Sequence, residues 1–180
     1  RLQVIHRGVD TGKFDPRSIA PDRVAELRRR WGVAPQQRVI LHAARLTRWK
    51  GQGVLIDAVA QLQKRGDLQG AVAILAGDAQ GRDGYVKELQ EQIERLGLEE
   101  HVRLVGHVED IAAAYATSHV TVVASIEPEA FGRTAIEAAA LGCPVIATNI
   151  GAPPETVLAQ PLAAQQETTG WLVSPDDAGA

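Results

Sequence analysis

The sequence predicts an α/β protein built on a doubly wound, Rossmann-like parallel sheet with helices on both faces. Three observations predict it. Short apolar runs alternate with amphipathic stretches from residue 38 onward. The apolar runs are continuous rather than alternating in polarity, which is how strands buried on both faces read. Glycines stand where the longer amphipathic stretches stop, as at helix ends. The 180 residues suffice for one such domain with a sizeable core. With 45% hydrophobic and 23% charged residues, the balance is that of a soluble globular protein. A formal charge of -3 gives no reason to expect nucleic acid or anionic lipid as a partner.

Residues 21–32 (PDRVAELRRRWG) predict an amphipathic helix with Pro21 in its first turn. RVILH (38–42) predicts a buried strand, and 53–66 a helix with Leu55, Val59 and Leu62 on one stripe and Gly66 at its end. AVAILAG (71–77) is the second strand. In 83–97, Val86, Leu89, Ile93 and Leu96 fall at i, i+3, i+7 and i+10, and Gly97 closes the helix. A third strand (102–106), a short helix (109–117) and a fourth strand (119–125) follow. The rest predicts a helix from about Gly132 to Leu141, a strand at 144–148, a half-turn at 153–158 and a sixth strand at 170–173. Right-handed crossovers make a doubly wound sheet the simplest topology, and such sheets bind ligands beyond the carboxyl ends of their strands. The chemistry is therefore expected in the strand-to-helix loops.

The loop after the first strand, HAARLTRWKGQG (42–53), holds Arg45, Arg48 and Lys50 before two glycines at a helix start. A helix N-terminus attracts phosphate through its unpaired N–H groups, and Arg and Lys would add full charges. Basic loop residues that simply face water are the equal alternative. In GDAQGRDG (77–84), Gly77 would let the backbone approach a ligand, as it would in any tight turn. The carboxylates of GHVED (106–110) suffice to start the next helix.

The fourth loop and its helix, SIEPEAFGRTAIEAAALG (125–142), carry Glu129 and Glu137 eight positions apart. Gly132 stands at the helix start, with Arg133 and Thr134 in the first turn. Glu129 is expected to be free to reach a ligand hydroxyl. For Glu137, an i, i+4 ion pair with Arg133 competes with a role as acceptor for a diol such as ribose. The alanines around it let the helix lie close to the sheet, where a carboxylate needs a partner.

AARLTRWKG followed by EAFGRTAIEAAALGCPVIAT resembles the donor-binding half of retaining glycosyltransferases of the GT-B fold, group 1 (family 4). Glu129 and Glu137 fit that family's E-x7-E signature, and Arg45 and Lys50 its R-x4-K signature. IHRGVDTGKF resembles the lead-in to this half, and GAPPETV and TGWLVSPDD its closing elements. The resemblance implies a lead-in segment (1–15) from a missing N-terminal half and a nucleotide-sugar-binding domain over 16–180. Arg45 and Lys50 would grip the diphosphate and stabilise the leaving group. Glu137 would hold the ribose, and Glu129, with Phe131 and Gly132, the sugar. The helix start at Gly132, Arg133 and Thr134 would add donors, and Gly77 and the Val108 backbone would flank the base. Glu129, Arg45 and Lys50 would thus carry the catalytic role.

The implied reaction moves a hexose, with retention, from a UDP, GDP or ADP sugar to a saccharide or lipid-linked acceptor bound through the missing half. The donor is a co-substrate, and neither a cofactor nor a metal is implied; the five histidines show no metal-binding spacing. The chain starts without methionine, and by itself is expected to bind donor weakly and transfer nothing. The single cysteine suggests a reducing compartment. The expected location is the cytoplasm, with peripheral attachment at the inner face of the plasma membrane as a further option. The sequence departs from the family at His6-Arg7-Gly8 (usually Pro-Asn-Gly), at Ala44 (often Gly) and at Gly151-Ala152 (usually Gly-Gly), which blurs donor preference.

An NAD-dependent oxidoreductase shares the expected architecture but calls for G-x-G-x-x-G at the first turn, and a P-loop NTPase for G-x-x-x-x-G-K-[ST]; neither motif is present. A non-catalytic sugar-nucleotide-binding module remains the alternative, and isomerases of the same two-half fold are a further relative. Cys143 is expected to be a small buried filler. Trp31 and Trp171 are expected to cover core edges, and Trp49 either to pack or to lean on a sugar or base.

Overall fold

A computed structural model describes residues 8–180. The motif residues His6 and Arg7 lie outside the described residues. Six parallel strands form one sheet in the order β3-β2-β1-β4-β5-β6. The strands are β1 (Val39–Ala43), β2 (Val72–Ala76), β3 (Val102–Gly106), β4 (Val120–Val123), β5 (Val145–Thr148) and β6 (Gly170–Val173). The helices are α1 (Pro21–Arg30), α2 (Gln52–Arg65), α3 (Asp83–Arg95), α4 (Ile111–Thr117), α5 (Arg133–Ala140) and α6 (Pro153–Thr156). Strand order reverses between β1 and β4, the place where doubly wound sheets open a crevice.

The continuous apolar strands explain the layering. In β2 every residue is buried: Val72, Ile74 and Ala76 point to one face, and Ala73 and Leu75 to the other. On the first face they meet Leu27 and Trp31 of the α1 region, Ala112 to Tyr115 of α4, and Ala135 and Ala138 of α5. On the second they meet Leu55, Ile56 and Val59 of α2 and Leu89 and Ile93 of α3. Full burial of side chains such as Leu41, Ile74 or Leu75 stabilises by about 1.5–3 kcal/mol each. Cutting Ile74 to Ala would cost about 2–5 kcal/mol through lost contacts and a cavity. On the second face Val122 and Ile146, from β4 and β5, are only half-buried.

Every predicted helix and strand is present, with ends displaced by no more than two residues. The α4 helix starts at Ile111 rather than 109 because Asp110 is its cap, accepting from the Ala113 N–H at 3.1 Å and pairing with Arg23. Short 3₁₀ turns at Pro16–Ser18, Arg48–Lys50 and Gln165–Glu167 carry no periodicity that would have marked them. Cys143 is buried, with its Sγ 3.3 Å from Thr121 Oγ1. Trp31 is buried, but Trp171 is 55% exposed: it lies in register with Ile146, on the face that is only half-buried at β4 and β5. Phe14 belongs to the first core cluster, its ring 6.2 Å from that of Tyr115.

Candidate functional site

A cleft of about 730 Å³ opens at the carboxyl ends of β1 to β4. All ten residues to which the resemblance assigns a donor-site role line it: Arg45, Lys50, Gly77, Val108, Glu129, Phe131, Gly132, Arg133, Thr134 and Glu137. Lys13, Trp49, His107 and Tyr115 join them. The two cations and the two acids thus share one crevice, at the reversal of strand order.

Glu129 is not free, contrary to expectation. Its carboxylate pairs with Lys50 Nζ and accepts from Ser125 Oγ at 2.8 Å. The backbone of Glu129 is fixed as well: it bridges to Gly151, and its carbonyl accepts from the Ala152 N–H at 2.8 Å. Lys50 lies with its ammonium 4.2 Å from the centre of the Trp49 ring, a cation–π distance. The two loops are tied directly, the Ile126 N–H donating to the Trp49 carbonyl at 2.8 Å.

Beneath Lys50 sits His42, the fourth residue of β1, which is 2% exposed. Burial pushes its pKa from 6.5 down to about 4, so the ring is neutral near pH 7. Its Nε2 is 2.8 Å from the Lys50 carbonyl, and a carbonyl can only accept, so Nε2 carries the proton. The remaining nitrogen, Nδ1, is buried without a hydrogen-bond partner among the described residues.

Glu137 occurs on α5, 8% exposed. The i, i+4 pair with Arg133, one of the two competing readings, forms at 3.0 Å, although Arg133 itself is largely exposed. The other carboxylate oxygen accepts from the Tyr115 hydroxyl at 3.2 Å. Burial and the neighbouring Glu137 raise the Tyr115 pKa, so the phenol stays protonated and remains a donor. Sequence reasoning missed Tyr115. The available signal was a lone tyrosine in the alanine-rich stretch EDIAAAYAT: a buried phenol needs a polar partner.

The helix start that faces the cleft is that of α5. Gly132, at φ 61°, is its N-cap and provides no side-chain cap, so first-turn N–H groups remain for a ligand. Thr134 Oγ1 donates to the Ala43 carbonyl at 3.2 Å and fixes this helix end to β1. The start of α2, expected to hold phosphate, is placed elsewhere: residues 51–53 do not line the cleft, and the Gln52 side chain donates to the Arg45 carbonyl at 2.9 Å. Arg48 also turns away, pairing with Glu88 and lying over the Tyr85 ring. The close approach at Gly77 is to this chain's own backbone: a Cβ there would lie 1.8 Å from the Ala44 carbonyl oxygen. Arg45 is exposed, and its guanidinium makes no ion pair among the described residues.

The cleft therefore offers an unpaired guanidinium, an open helix start, a paired Lys–Glu unit and a second, anchored carboxylate. Such a set can hold a polyanion at one end and hydroxyl groups at the other. Among the described residues no three His, Cys, Asp or Glu side chains are grouped as metal ligands, and no helix is long and apolar enough to cross a membrane.

Known proteins are similar to this chain in sequence and fold. The family model for glycosyl transferases group 1 matches residues 24–180. The GDP-mannose-dependent alpha-(1-6)-phosphatidylinositol monomannoside mannosyltransferase of Mycolicibacterium smegmatis is 34% identical over 165 residues, covering 87% of this chain and 41% of the relative. The chain spans about two fifths of the length of the curated relatives it matches. The crystal structure of HepE from Anabaena in complex with UDP and glucose is 37% identical with a TM-score of 0.83, over 98% of this chain and 44% of that one. The C-terminal domain of a group 1 family glycosyl transferase from Francisella tularensis is 30% identical with a TM-score of 0.74, over 95% of this chain and 82% of that one. Sequence and fold agree: the chain belongs to the group 1 glycosyl transferases and matches their C-terminal domain.

Proposed function

We propose that this domain holds the nucleotide-diphosphate sugar of a retaining GT-B glycosyltransferase, which moves a hexose to a saccharide or lipid-linked acceptor bound by the rest of the protein. The observation that carries the reading is the convergence of all ten residues assigned a donor-site role on one cleft at the reversal of strand order. Arg45, Lys50 and the open start of α5 take the diphosphate, whose negative charge grows as the bond to the sugar breaks. Glu137, anchored by Tyr115, accepts from the ribose diol, and Glu129 takes sugar hydroxyls. Gly77 and Val108, which line the cleft, flank the base in this reading. Relatives support the donor class: the mannosyltransferase is named for GDP-mannose, and HepE was crystallised with UDP and glucose. They leave the base of this donor to experiment. We place the reaction in the cytoplasm, without a metal in the donor site.

Calorimetric titration with UDP, GDP, ADP and NAD tests the reading and ranks the base. At least one nucleoside diphosphate should bind, and Lys50→Glu should weaken it by about 100-fold through lost and reversed charge. Unchanged affinity in both Lys50→Glu and Glu137→Ala would remove the site assignment, and preferential binding of NAD would point to redox chemistry instead.

A further inference from the structure

Two groups assigned to different parts of the donor are bonded to each other. Lys50 and Glu129 form an ion pair with side chains only 15% and 12% exposed. Their backbones are pinned: the Lys50 carbonyl by His42, the Glu129 carbonyl by the Ala152 N–H, and the two loops to each other through Ile126 and Trp49. Parting the pair therefore requires rotation of two long side chains, with no loop movement.

The pair sets an energetic condition on what binds. An ion pair so far from water loses much when one member is drawn away, because the other stays charged and poorly solvated. A bare diphosphate that took Lys50 would leave Glu129 with the Ser125 hydroxyl as its remaining donor. A ligand with hydroxyls beside its diphosphate offers Lys50 an anion and Glu129 new donors in the same event. We propose that the Lys50–Glu129 pair makes this site select a sugar-bearing diphosphate over the bare one, because Glu129 competes with phosphate for Lys50 until hydroxyl donors relieve it. The inference rests on the donor-site reading and deepens it. It also gives the product a way out: once the sugar has gone, Glu129 recaptures Lys50 and displaces the diphosphate.

The test is titration of wild type, Glu129→Gln, Lys50→Met and the double variant with inorganic pyrophosphate, and with UDP-glucose and GDP-mannose against UDP and GDP. Glu129→Gln keeps the side-chain shape but removes the competing charge. It should bind pyrophosphate and the bare nucleotide roughly tenfold more tightly than wild type does, and its preference for the sugar conjugate should shrink. The gain should vanish in the double variant, since it acts through Lys50. Thermal unfolding of each variant checks that the fold is retained, and Glu129→Ala should repeat the gain if the glutamine variant is unstable. No gain in either Glu129 variant, or a gain that survives loss of Lys50, overturns the inference while leaving the donor site standing. Failure of every form to bind any diphosphate overturns the donor-site reading as well.

Discussion

Glu129 and Glu137 line the same cleft, yet they are held in opposite ways. Glu137 rides on a helix, and its two oxygens are divided between Arg133 and a protonated phenol, Tyr115. Neither partner is one that the ligand must take away. Glu129 lies in a loop, and its main partner is Lys50, the cation that the proposed diphosphate would also take. The first acid is a standing acceptor and the second an exchangeable one. The difference arises from the scaffold: short alanines bring α5 close to α4 and its tyrosine, whereas the loop after β4 meets the basic loop after β1.

The largest effect expected on this comparison lies beneath the exchangeable acid, at His42. Its folded pKa, about 4, is below its ordinary 6.5, so between those values the unfolded chain binds the extra proton. Stability from this group is therefore complete above about pH 6.5 and falls by about 3 kcal/mol as the pH drops to about 4. Urea unfolding across that range should show this loss in wild type, and a His42→Phe variant should lack this part of it. A gap between the two proteins that stays constant with pH would mean that His42 is not held neutral under Lys50.

Next in size is Glu137→Ala. Loss of a charged acceptor should weaken nucleoside diphosphate binding by about 2 kcal/mol, with inorganic pyrophosphate affinity little changed. Equal losses for both ligands would abolish the distinction between the two acids. Tyr115→Phe should reproduce that split at about 1 kcal/mol, since Glu137 remains but loses one anchor. Smallest is Arg133→Ala: an i, i+4 pair with an exposed arginine should contribute less than about 0.5 kcal/mol to stability, readable as a slight change in the urea midpoint.

Most of the fold was legible because periodicity reports burial directly. The all-buried run of β2 and the stripe of α3 each have one reading in a parallel sheet. The membership of the cleft was legible too, once the strand-to-helix loops were combined with the motifs of the family that the sequence resembles. What stayed hidden depends on distance across the fold. Lys50 and Glu129 are 79 positions apart, and nothing local tells that they meet. Both α2 and α5 follow a glycine at a strand-to-helix turn, so sequence alone did not distinguish the helix start that reaches the cleft. Gly77 looked like a place for a ligand, although the group that excludes its Cβ is the Ala44 carbonyl. Trp171 was misplaced because sequence order does not reveal which part of a sheet face the helices leave uncovered.

The bond from the Ile126 amide to the Trp49 carbonyl stitches the sheet's two halves together at their shared seam. Residues before β2 and residues after β4 must both be in place before it can close. A fragment from either side would carry only part of the crevice's lining. Competence to bind should thus appear late in folding, in one step, when the distant halves of the chain finally join.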